Sequence, residues 1–308
     1  MRYYFAPMEG LTDSIYRRLH HQFFPGVTRY YTPFFSPTVH RALTPKEERE
    51  LPLAQENDFT VIPQLLTKSP EDFLWMAQAA LDRGYEEVNL NLGCPSGTVV
   101  AKGKGSGMLG DLEALDRFLE RIYHDAPLPV SIKTRLGLES AQEFPPLLEV
   151  FNRYPIAELI IHPRVRRQFY TGEVNHDMFS YAYENSRNPI CYNGDILSLS
   201  QAEALQKAYP RLEAVMIGRG LLRDPGMLSG GTDIRVLRDF MDDLLEGYTE
   251  AFGSRRNAMF RLKENWSYLH TRFEGSEKLW KRLRKTTDIE AFLAVSHEIL
   301  ETLPLREA

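Results

Sequence analysis

The 308-residue sequence contains only two cysteines, Cys94 and Cys191, which lie far apart and outside any CxxC pair. This spacing fits neither a zinc site nor a disulfide framework, so we expect no metal. No apolar run approaches the roughly 18 residues that a membrane-spanning helix needs, and the first residues lack the charged leader and long apolar stretch of a signal peptide. We therefore expect a cytoplasmic protein without a membrane partner.

The sequence also lacks an excess of positive charge, since 37 basic residues face 42 acidic ones and the formal net charge is −5. A nucleic-acid partner would therefore need a local basic patch. Residues 255–285 contain one, with ten basic side chains against three acidic ones. Such an asymmetry favours a phosphate-binding face, although a solvated helix surface would have the same composition. The ten are Arg255, Arg256, Arg261, Lys263, Arg272, Lys278, Lys281, Arg282, Arg284 and Lys285.

Eight short apolar runs alternate with segments of helical periodicity, which is typical of parallel βα units. Eight such units within about 220 residues favour a closed (β/α)₈ TIM barrel, with an open doubly wound sheet as the alternative. The runs lie at 3–7, 27–31, 60–65, 86–92, 129–134, 157–161, 189–192 and 214–217.

Helix starts are marked by capping residues. Ser69 before Pro70 predicts a helix over 69–83, and Asp111 predicts one over 111–124. After Gly230 and Gly231 no strand candidate follows, and residues 233–308 have the periodicity of several helices. We therefore predict a barrel over 1–231 and an all-helical domain over 232–308, and we expect a monomer.

Polar or glycine features follow seven of the eight predicted strands. In a barrel enzyme the ends of the strands and the loops after them form the active site. We therefore expect these residues to surround one ligand at the C-terminal mouth of the barrel. They are Glu9, Gln64, Asn89 to Cys94, Lys133 with Arg135, His162, Asn193 and Gly218 with Arg219.

The chemistry of these residues favours a phosphorylated flavin. The turns Asn193-Gly194-Asp195 and Gly218-Arg219-Gly220 follow strands 7 and 8, where barrels commonly bind phosphate. The same glycines could also serve only to make tight turns. Lys133 would stabilise the negative charge of a reduced flavin, or it could pair with Glu9 or another carboxylate.

These motifs resemble those of the tRNA-dihydrouridine synthases, in order and spacing through the whole barrel. The helical tail, with Arg261, Lys263 and 266–269, resembles the RNA-binding domain of that family. The most specific segment is Asn91-Leu92-Gly93-Cys94-Pro95. The other matching segments are 6–13, 63–65, 89–90, 96, 133–135, 193–195 and 217–220.

The resemblance implies an FMN-dependent reduction of the C5–C6 bond of a uridine in RNA, with tRNA as the expected partner and NADPH, or alternatively NADH, as reductant. It implies that Cys94 donates the proton to C5. Asn91, Arg135, Arg164, Arg261 and Lys263 would bind the substrate. The implied cofactor-binding residues are Pro7, Met8, Glu9, Gln64, Lys133, His162, Asn193, Gly194, Asp195, Gly218 and Arg219.

One segment departs from the family pattern. His162-Pro163-Arg164-Val165 stands where the family usually has His-Gly-Arg-Thr, so a backbone donor and a hydroxyl are missing. The contacts of this loop with RNA or flavin are therefore in question. Two other functions are compatible with the sequence: a flavin-dependent reductase of a free pyrimidine or small enone, and a non-catalytic RNA-binding factor. In the last case Cys94 would be a small buried hydrophobe, as we expect for Cys191.

Overall fold

The computed structural model describes residues 1–38 and 40–306, and all eight expected strand regions form strands. Pro63 divides the third region in two, because proline has no N–H to donate to a neighbouring strand. The described residues therefore contain nine strands. They are β1 (Arg2–Phe5), β2 (Arg29–Tyr31), β3 (Val61–Ile62), β4 (Gln64–Leu65), β5 (Val88–Leu92), β6 (Val130–Arg135), β7 (Leu159–His162), β8 (Ile190–Tyr192) and β9 (Ala214–Ile217).

The strand order shows that the sheet is a barrel. The order is β3-β2-β1-β9-β8-β7-β6-β5-β4, and the pairs with a defined register are parallel. β3 and β4 stand at opposite ends of this order, yet only Pro63 separates them along the chain. The sheet therefore curves back on itself. The (β/α)₈ prediction is confirmed, and the open doubly wound alternative is wrong.

The helices begin where capping side chains satisfy the first free N–H groups. Ser69 accepts from the Asp72 N–H and Asp111 from the Ala114 N–H, as expected. None of the described helices is long and apolar enough to cross a membrane. The α-helices are α1 (Ser14–Phe23), α2 (Pro45–Glu50), α3 (Pro70–Leu81), α4 (Gly97–Val100), α5 (Leu112–Asp125), α6 (Phe144–Phe151), α7 (His176–Asn185), α8 (Leu199–Ala208), α9 (Arg219–Arg223), α10 (Ile234–Phe252), α11 (Arg255–Leu269), α12 (Glu277–Leu283) and α13 (Ile289–Thr302).

The chain forms two compact units, and neither is one continuous segment. The barrel unit consists of Met1–Pro7, Thr28–Asp195 and Ala204–Met216. The helical unit consists of Met8–Val27, Ile196–Glu203 and Ile217–Ala308. The helical unit thus contains α1 from near the start of the chain as well as the tail helices α10 to α13.

Aromatic packing explains why α1 belongs to the helical unit. The ring of Phe240 in α10 makes edge contacts with Tyr16 at 5.5 Å and with Phe24 at 5.1 Å between ring centroids. Gly247 lies so close to α1 that an added Cβ would stand 3.0 Å from Ile15. Offset and edge-on aromatic pairs of this kind stabilise a core beyond simple burial. The two helices therefore share one apolar core.

The strand-start end of the barrel, opposite the mouth, contains a cluster of buried charges, which we call the floor cluster. Glu158 is 4% exposed; its carboxylate accepts a hydrogen bond from the Tyr4 hydroxyl at 3.2 Å and lies 3.6 Å from Arg2. Arg29 pairs with Glu87 at 3.0 Å. The cluster also contains Tyr31, whose hydroxyl, like Oε2 of Glu158 and Oε1 of Glu87, is buried without a hydrogen-bond partner among the described residues.

Burial, which disfavours the charged carboxylate, raises the pKa of Glu158 from 4.5 to about 7. Arg2, Arg29 and the Tyr4 hydroxyl oppose this shift, and the negative charge of Glu87 adds to it. Between pH 4.5 and about pH 7, Glu158 is therefore more protonated in the folded chain than in the unfolded chain. Its stabilising contribution is complete below pH 4.5 and is lost as the pH rises through about 7.

We predict that Glu158→Gln removes this pH dependence, because glutamine is neutral at every pH. Between pH 5 and pH 8 the wild type should lose more free energy of unfolding than the variant, by at most about 3 kcal/mol. Urea unfolding at both pH values measures the difference. Glu213→Gln is the matched control, since that side chain is 78% exposed and should behave like the wild type. Equal pH profiles for the wild type and Glu158→Gln would contradict the assignment.

Candidate active site

The barrel mouth brings together most of the polar residues that the sequence predicts there. In register, Asn91 of β5 lies beside Lys133 of β6, and Arg135 lies beside His162 of β7. Gln64 pairs with Asn89 on the adjoining strand. Because all these strands are parallel, their C-terminal ends share one rim.

A continuous chain of amide hydrogen bonds lies inside this rim. Asn89 donates to the Ser131 hydroxyl at 3.0 Å and accepts from Gln64 Nε2 at 2.8 Å. Gln64 Oε1 in turn accepts from Asn91 Nδ2 at 2.7 Å. Together these bonds assign the oxygen and the nitrogen of the Asn89, Gln64 and Asn91 side-chain amides. The four side chains are nearly or completely buried, so the network holds Asn91 in one orientation.

In this orientation, the side chain of Asn91 also binds the backbone of the turn that contains Cys94. Its Oδ1 accepts from the backbone N–H of Gly93 at 3.0 Å and of Cys94 at 2.9 Å. The Cys94 carbonyl accepts from the Ser106 hydroxyl at 2.8 Å. Gly105 has a left-handed φ of +57°, and a Cβ added there would stand 3.1 Å from the Cβ of Cys94. The loop that follows therefore packs tightly against the turn and fixes it.

The two cysteines differ in accessibility. Cys94 is half-buried at the mouth, whereas Cys191 is 0% exposed in β8. Burial raises the pKa of Cys191, and the neighbouring Glu158 adds to the shift. Cys191 is a core residue, and Cys94 is the thiol that a ligand can reach.

Lys133 is a cation that has no anionic partner among residues 1–38 and 40–306. No described residue forms an ion pair or a hydrogen bond with its ammonium group, so the pairing with a carboxylate that the sequence allowed is not seen among them. Desolvation lowers the pKa of Lys133 to about 8, and the positive charge of Arg135 adds to that shift. A desolvated, unpaired ammonium at the mouth fits a ligand that carries or develops negative charge.

Arg135 is 1% exposed and joins two loops of the mouth. Its guanidinium donates to the Gly93 carbonyl at 2.9 Å and to the Val165 carbonyl at 3.2 Å. It also lies 5.2 Å from the ring centroid of Tyr170. Arg135 thus links the cysteine turn to the loop after β7. A direct contact between Arg135 and a substrate stays a prediction.

Arg164 is also 1% exposed and has a similar linking role. It donates to the Gly172 carbonyl at 2.6 Å, to the Asp195 carboxylate at 3.1 Å and to Nε2 of His162 at 3.0 Å. A guanidinium has no acceptor, so Nε2 of His162 must be the acceptor and the ring proton is on Nδ1. Arg164 therefore sets the tautomer of His162, and its own contact with RNA stays a prediction.

The loop with the unusual Pro163 and Val165 satisfies its backbone in other ways. The Pro163 carbonyl accepts from the Asn175 N–H at 2.8 Å. The Val165 N–H donates to Oε1 of Gln168 at 2.9 Å, and its carbonyl accepts from Arg135. The loop therefore needs neither the glycine nor the threonine hydroxyl of the usual family sequence to be ordered.

In the turn after β8, the glycine at position 194 packs closely against the Tyr192 side chain. Asn193 donates to the Met216 carbonyl at 2.8 Å. A Cβ added to Gly194 would stand 2.1 Å from the Tyr192 hydroxyl. A larger residue at position 194 would therefore have to displace the Tyr192 ring. Asp195, the third residue of this turn, is paired with Arg164.

The remaining expected residues lie in the helical unit. Met8 is part of a turn in which its N–H donates to the Thr12 hydroxyl at 2.9 Å, and Glu9 is exposed. Gly218 and Arg219 stand at the start of α9. Nearby, a Cβ added to Gly220 would stand 2.2 Å from the Ile196 carbonyl.

The two basic residues expected to touch RNA are engaged inside the helical unit. Arg261 donates to the Gly10 carbonyl and lies 3.7 Å from Asp13. Lys263 is 8% exposed and donates to the Thr286 carbonyl. Their RNA contact stays a prediction. By contrast, five other members of the basic segment are exposed and have no ion-pair partner among the described residues: Arg256, Lys278, Lys281, Arg284 and Lys285.

Two positioning residues, Ser131 and Ser106, were missed from the sequence, which did place Asn89 at the mouth. Ser131 precedes Lys133 by two, and a strand places residues two apart on one face, so this alternation could have indicated it. Ser106 carried no such signal, because its contact with Cys94 depends on how the loop folds back.

A family model of dihydrouridine synthases matches residues 4–278. The chain belongs to the dihydrouridine synthase family. The match begins inside β1, spans β2 to β9 and continues into α10, α11 and the start of α12, so it includes both the rim residues and most of the basic segment.

Named relatives in this family share slightly under a third of the sequence. The chain is 29% identical over 301 residues to the tRNA-dihydrouridine(16) synthases of Shigella flexneri and of Escherichia coli (strain K12), which covers 92% of this chain and 94% of each relative. It is 29% identical over 225 residues to tRNA-dihydrouridine synthase B of Pasteurella multocida (strain Pm70), covering 73% of this chain and 67% of that protein.

Solved structures support the fold. Morphinone reductase in complex with tetrahydroNAD superposes with a TM-score of 0.51 at 12% identity, over 78% of this chain and 87% of that one. The old yellow enzyme homologue from Zymomonas mobilis superposes with a TM-score of 0.51 at 12% identity, over 73% of this chain and 86% of that one. At such low identity the likeness concerns the barrel fold alone.

We predict that Asn91→Ala in this family member loosens the cysteine turn, because it removes the acceptor of two backbone N–H groups. Stability should fall by about 1–3 kcal/mol, and alkylation of Cys94 by iodoacetamide should become faster. Mass spectrometry of the alkylated protein measures the rate, with the buried Cys191 as an internal unreactive thiol.

Asn188→Ala is the matched control, because Asn188 also makes two hydrogen bonds to backbone groups, those of Ile156 and Phe151. It should lower stability without changing the alkylation rate. An unchanged rate in Asn91→Ala would show that Asn91 does not position the thiol.

Proposed function

We propose that this protein reduces the C5–C6 double bond of a uridine in tRNA to dihydrouridine, with FMN as cofactor, NADPH as reductant and Cys94 as proton donor. The observation that carries the proposal is the position of the half-buried Cys94: Asn91 accepts from its backbone N–H, and Lys133, which has no ion-pair partner among the described residues, lies beside Asn91 at the same rim. Membership of the dihydrouridine synthase family and the names of the relatives support it.

The rim fits a flavin because it offers an uncompensated cation and amide groups at one place. Lys133 would neutralise the charge that the pyrimidine edge of the ring acquires on reduction, and Gln64 retains one N–H and one lone pair for the same edge. The bound flavin supplies the hydride for C6. Pro7, His162, Asn193, Gly194 and Asp195 are the further candidates in the barrel unit. For Met8, Glu9, Gly218 and Arg219 the assignment rests on the resemblance alone.

Cys94 suits the role of proton donor. A thiol with an ordinary pKa near ~8.5 is mostly protonated at neutral pH and can still release its proton. The turn held by Asn91, Ser106 and Gly105 keeps this thiol in one place, which is what a proton transfer to a fixed carbon requires.

Asn91 would hold the uracil. Its oxygen is occupied by the N–H groups of Gly93 and Cys94, and one of its two amide protons by Gln64. The second amide proton can donate to a carbonyl of the base. The same side chain thus positions both the proton donor and the carbon that receives the proton.

For the RNA, we propose that the exposed basic residues of the helical unit bind phosphates, and that the target is the uridine at tRNA position 16. Relatives named for that position match the chain almost from end to end, including the helical tail, whereas the relative named synthase B matches 73% of the chain. A uridine in folded RNA must leave its stack to reach a barrel mouth, at a cost of a few kcal/mol, and phosphate contacts offset this cost.

We predict that Cys94→Ala lowers dihydrouridine formation in tRNA at least about 100-fold, the usual range for loss of a general acid. The variant should stay yellow and its flavin should still be reduced by NADPH. The product is measured by mass spectrometry of digested tRNA from cells that lack the enzyme. Cys191→Ala is the control and should keep its activity. Loss of flavin from Cys94→Ala would instead indicate a structural cysteine.

We predict that the double variant Lys281→Ala, Arg284→Ala weakens tRNA binding and lessens its salt dependence. The log–log slope should fall by somewhat under one unit for each phosphate that the variant no longer neutralises. Lys207→Ala, an exposed lysine in α8, should leave the slope unchanged. Separate Arg261→Gln and Lys263→Gln variants test whether those two residues contribute. An unchanged salt slope in the double variant would show that α12 does not bind the RNA.

A further inference from the structure

The loop after β7 exposes a phenylalanine on a strained backbone. Phe169 is 44% exposed and has φ +50° and ψ −102°. Within the described residues only one other non-glycine residue, Arg41, has a positive φ. A side chain with a Cβ is disfavoured there, so this conformation lowers the stability of the fold.

The rest of the loop imposes this conformation. The Arg166 N–H donates to the Gly137 carbonyl at 2.9 Å, and the Thr171 N–H donates to the Gln168 carbonyl at 2.9 Å. Arg164 binds the Gly172 carbonyl. Bonds on both sides of Phe169 therefore hold the ring outward despite the backbone strain. A glycine at 169 would adopt the same backbone at lower cost, so the fold itself does not require a phenyl ring there.

The surroundings of the ring are aromatic and positively charged. The Arg166 guanidinium lies 5.9 Å from the centroid of the Phe169 ring, and the Arg167 side chain is 64% exposed. The next residue, Tyr170, stacks with His162 at 6.0 Å and an interplanar angle of 25°, beside Arg135. The residue after Phe169 thus contacts His162 and Arg135 of the rim that contains the proposed active site, so Phe169 lies in the loop that borders this rim.

Room for part of a bound chain exists next to this loop. A cavity of about 580 Å³ opens between the loops after β6 and β7, and its lining is largely polar. Its lining residues include Arg167, Gln168 and His176 and also the carboxylates of Glu139, Glu173 and Asp177, and Arg167 lies 3.9 Å from Glu139. An apolar protein surface would have to bury these polar groups and the two arginines. A nucleic acid, whose bases stack on aromatic rings and whose phosphates pair with arginine, is chemically complementary to Phe169 and its two arginines, whereas the carboxylates disfavour a phosphate inside the cavity itself.

We propose that Phe169 is a base-stacking residue that packs against the nucleotide next to the target uridine when that uridine enters the barrel. Extrusion of one base leaves the neighbouring base without a stacking partner on one side. An exposed phenyl ring at the rim replaces that partner. This inference rests on the proposed function, since it assigns a contact to the same RNA substrate.

Phe169→Gly tests the proposal, because it removes the ring and relieves the backbone strain together. The expected result is a melting temperature equal to or above that of the wild type, together with a Kd and KM for unmodified tRNA that are roughly 5- to 100-fold higher, the range for loss of one stacked base. Flavin content and the rate of flavin reduction by NADPH should not change. Phe169→Trp should restore tRNA affinity. Leu53→Ser, at a side chain that is 43% exposed, is the control and should bind tRNA like the wild type.

Three results would overturn the inference: an unchanged tRNA affinity in Phe169→Gly, a lower melting temperature or flavin loss in that variant, or a change in its oligomeric state. Unchanged affinity would exclude stacking by Phe169. A lower melting temperature or flavin loss would indicate that the Phe169 ring stabilises the fold, and a changed oligomeric state would indicate that it contacts another protein chain. Failure of the proposed function is distinguishable, because then the wild type itself would neither bind tRNA nor form dihydrouridine in it.

Discussion

The hydrogen bonds that Asn91 makes through its side-chain amide are the constraint on which the active-site geometry depends. One end of the amide is fixed by Gln64, within a buried network that reaches Ser131. The other end holds the backbone at Gly93 and Cys94. The closed barrel sets the positions of the strands, and the strands set the positions of the Gln64, Asn89 and Asn91 side chains. Asn91 in turn holds the backbone of the Cys94 turn. The backbone of Cys94 thereby takes its position from the strands of the barrel.

The two ends of the barrel use buried polar groups in opposite ways. At the floor, Glu158, Glu87, Arg2 and Arg29 neutralise one another, and burial favours the uncharged acid. At the rim, Lys133 has no such counter-charge among the described residues. A desolvated cation without a partner destabilises the protein alone and becomes favourable when an anionic ligand arrives. The rim thus has a charge that an anionic ligand would neutralise, whereas the charges of the floor already lie against one another.

Much of this arrangement was predictable, because it depends on local patterns. Eight apolar runs indicated the strands, and Ser69 and Asp111 marked two helix starts. The order of polar residues after the strands indicated the rim. Roles that depend on packing were not predictable. The sequence shows Arg135 and Arg164 as charges, yet the fold buries both as links between loops. Nor does any local pattern indicate that α1 packs with α10 or that Lys263 binds the Thr286 carbonyl.

The central claim, that this barrel reduces a uridine of tRNA, is tested most directly by mapping dihydrouridine at every position of tRNA from cells that lack the gene and from the parent cells. The account predicts that dihydrouridine at position 16 disappears and that it returns when the wild-type gene is restored. An unchanged dihydrouridine pattern in the cells that lack the gene would contradict it.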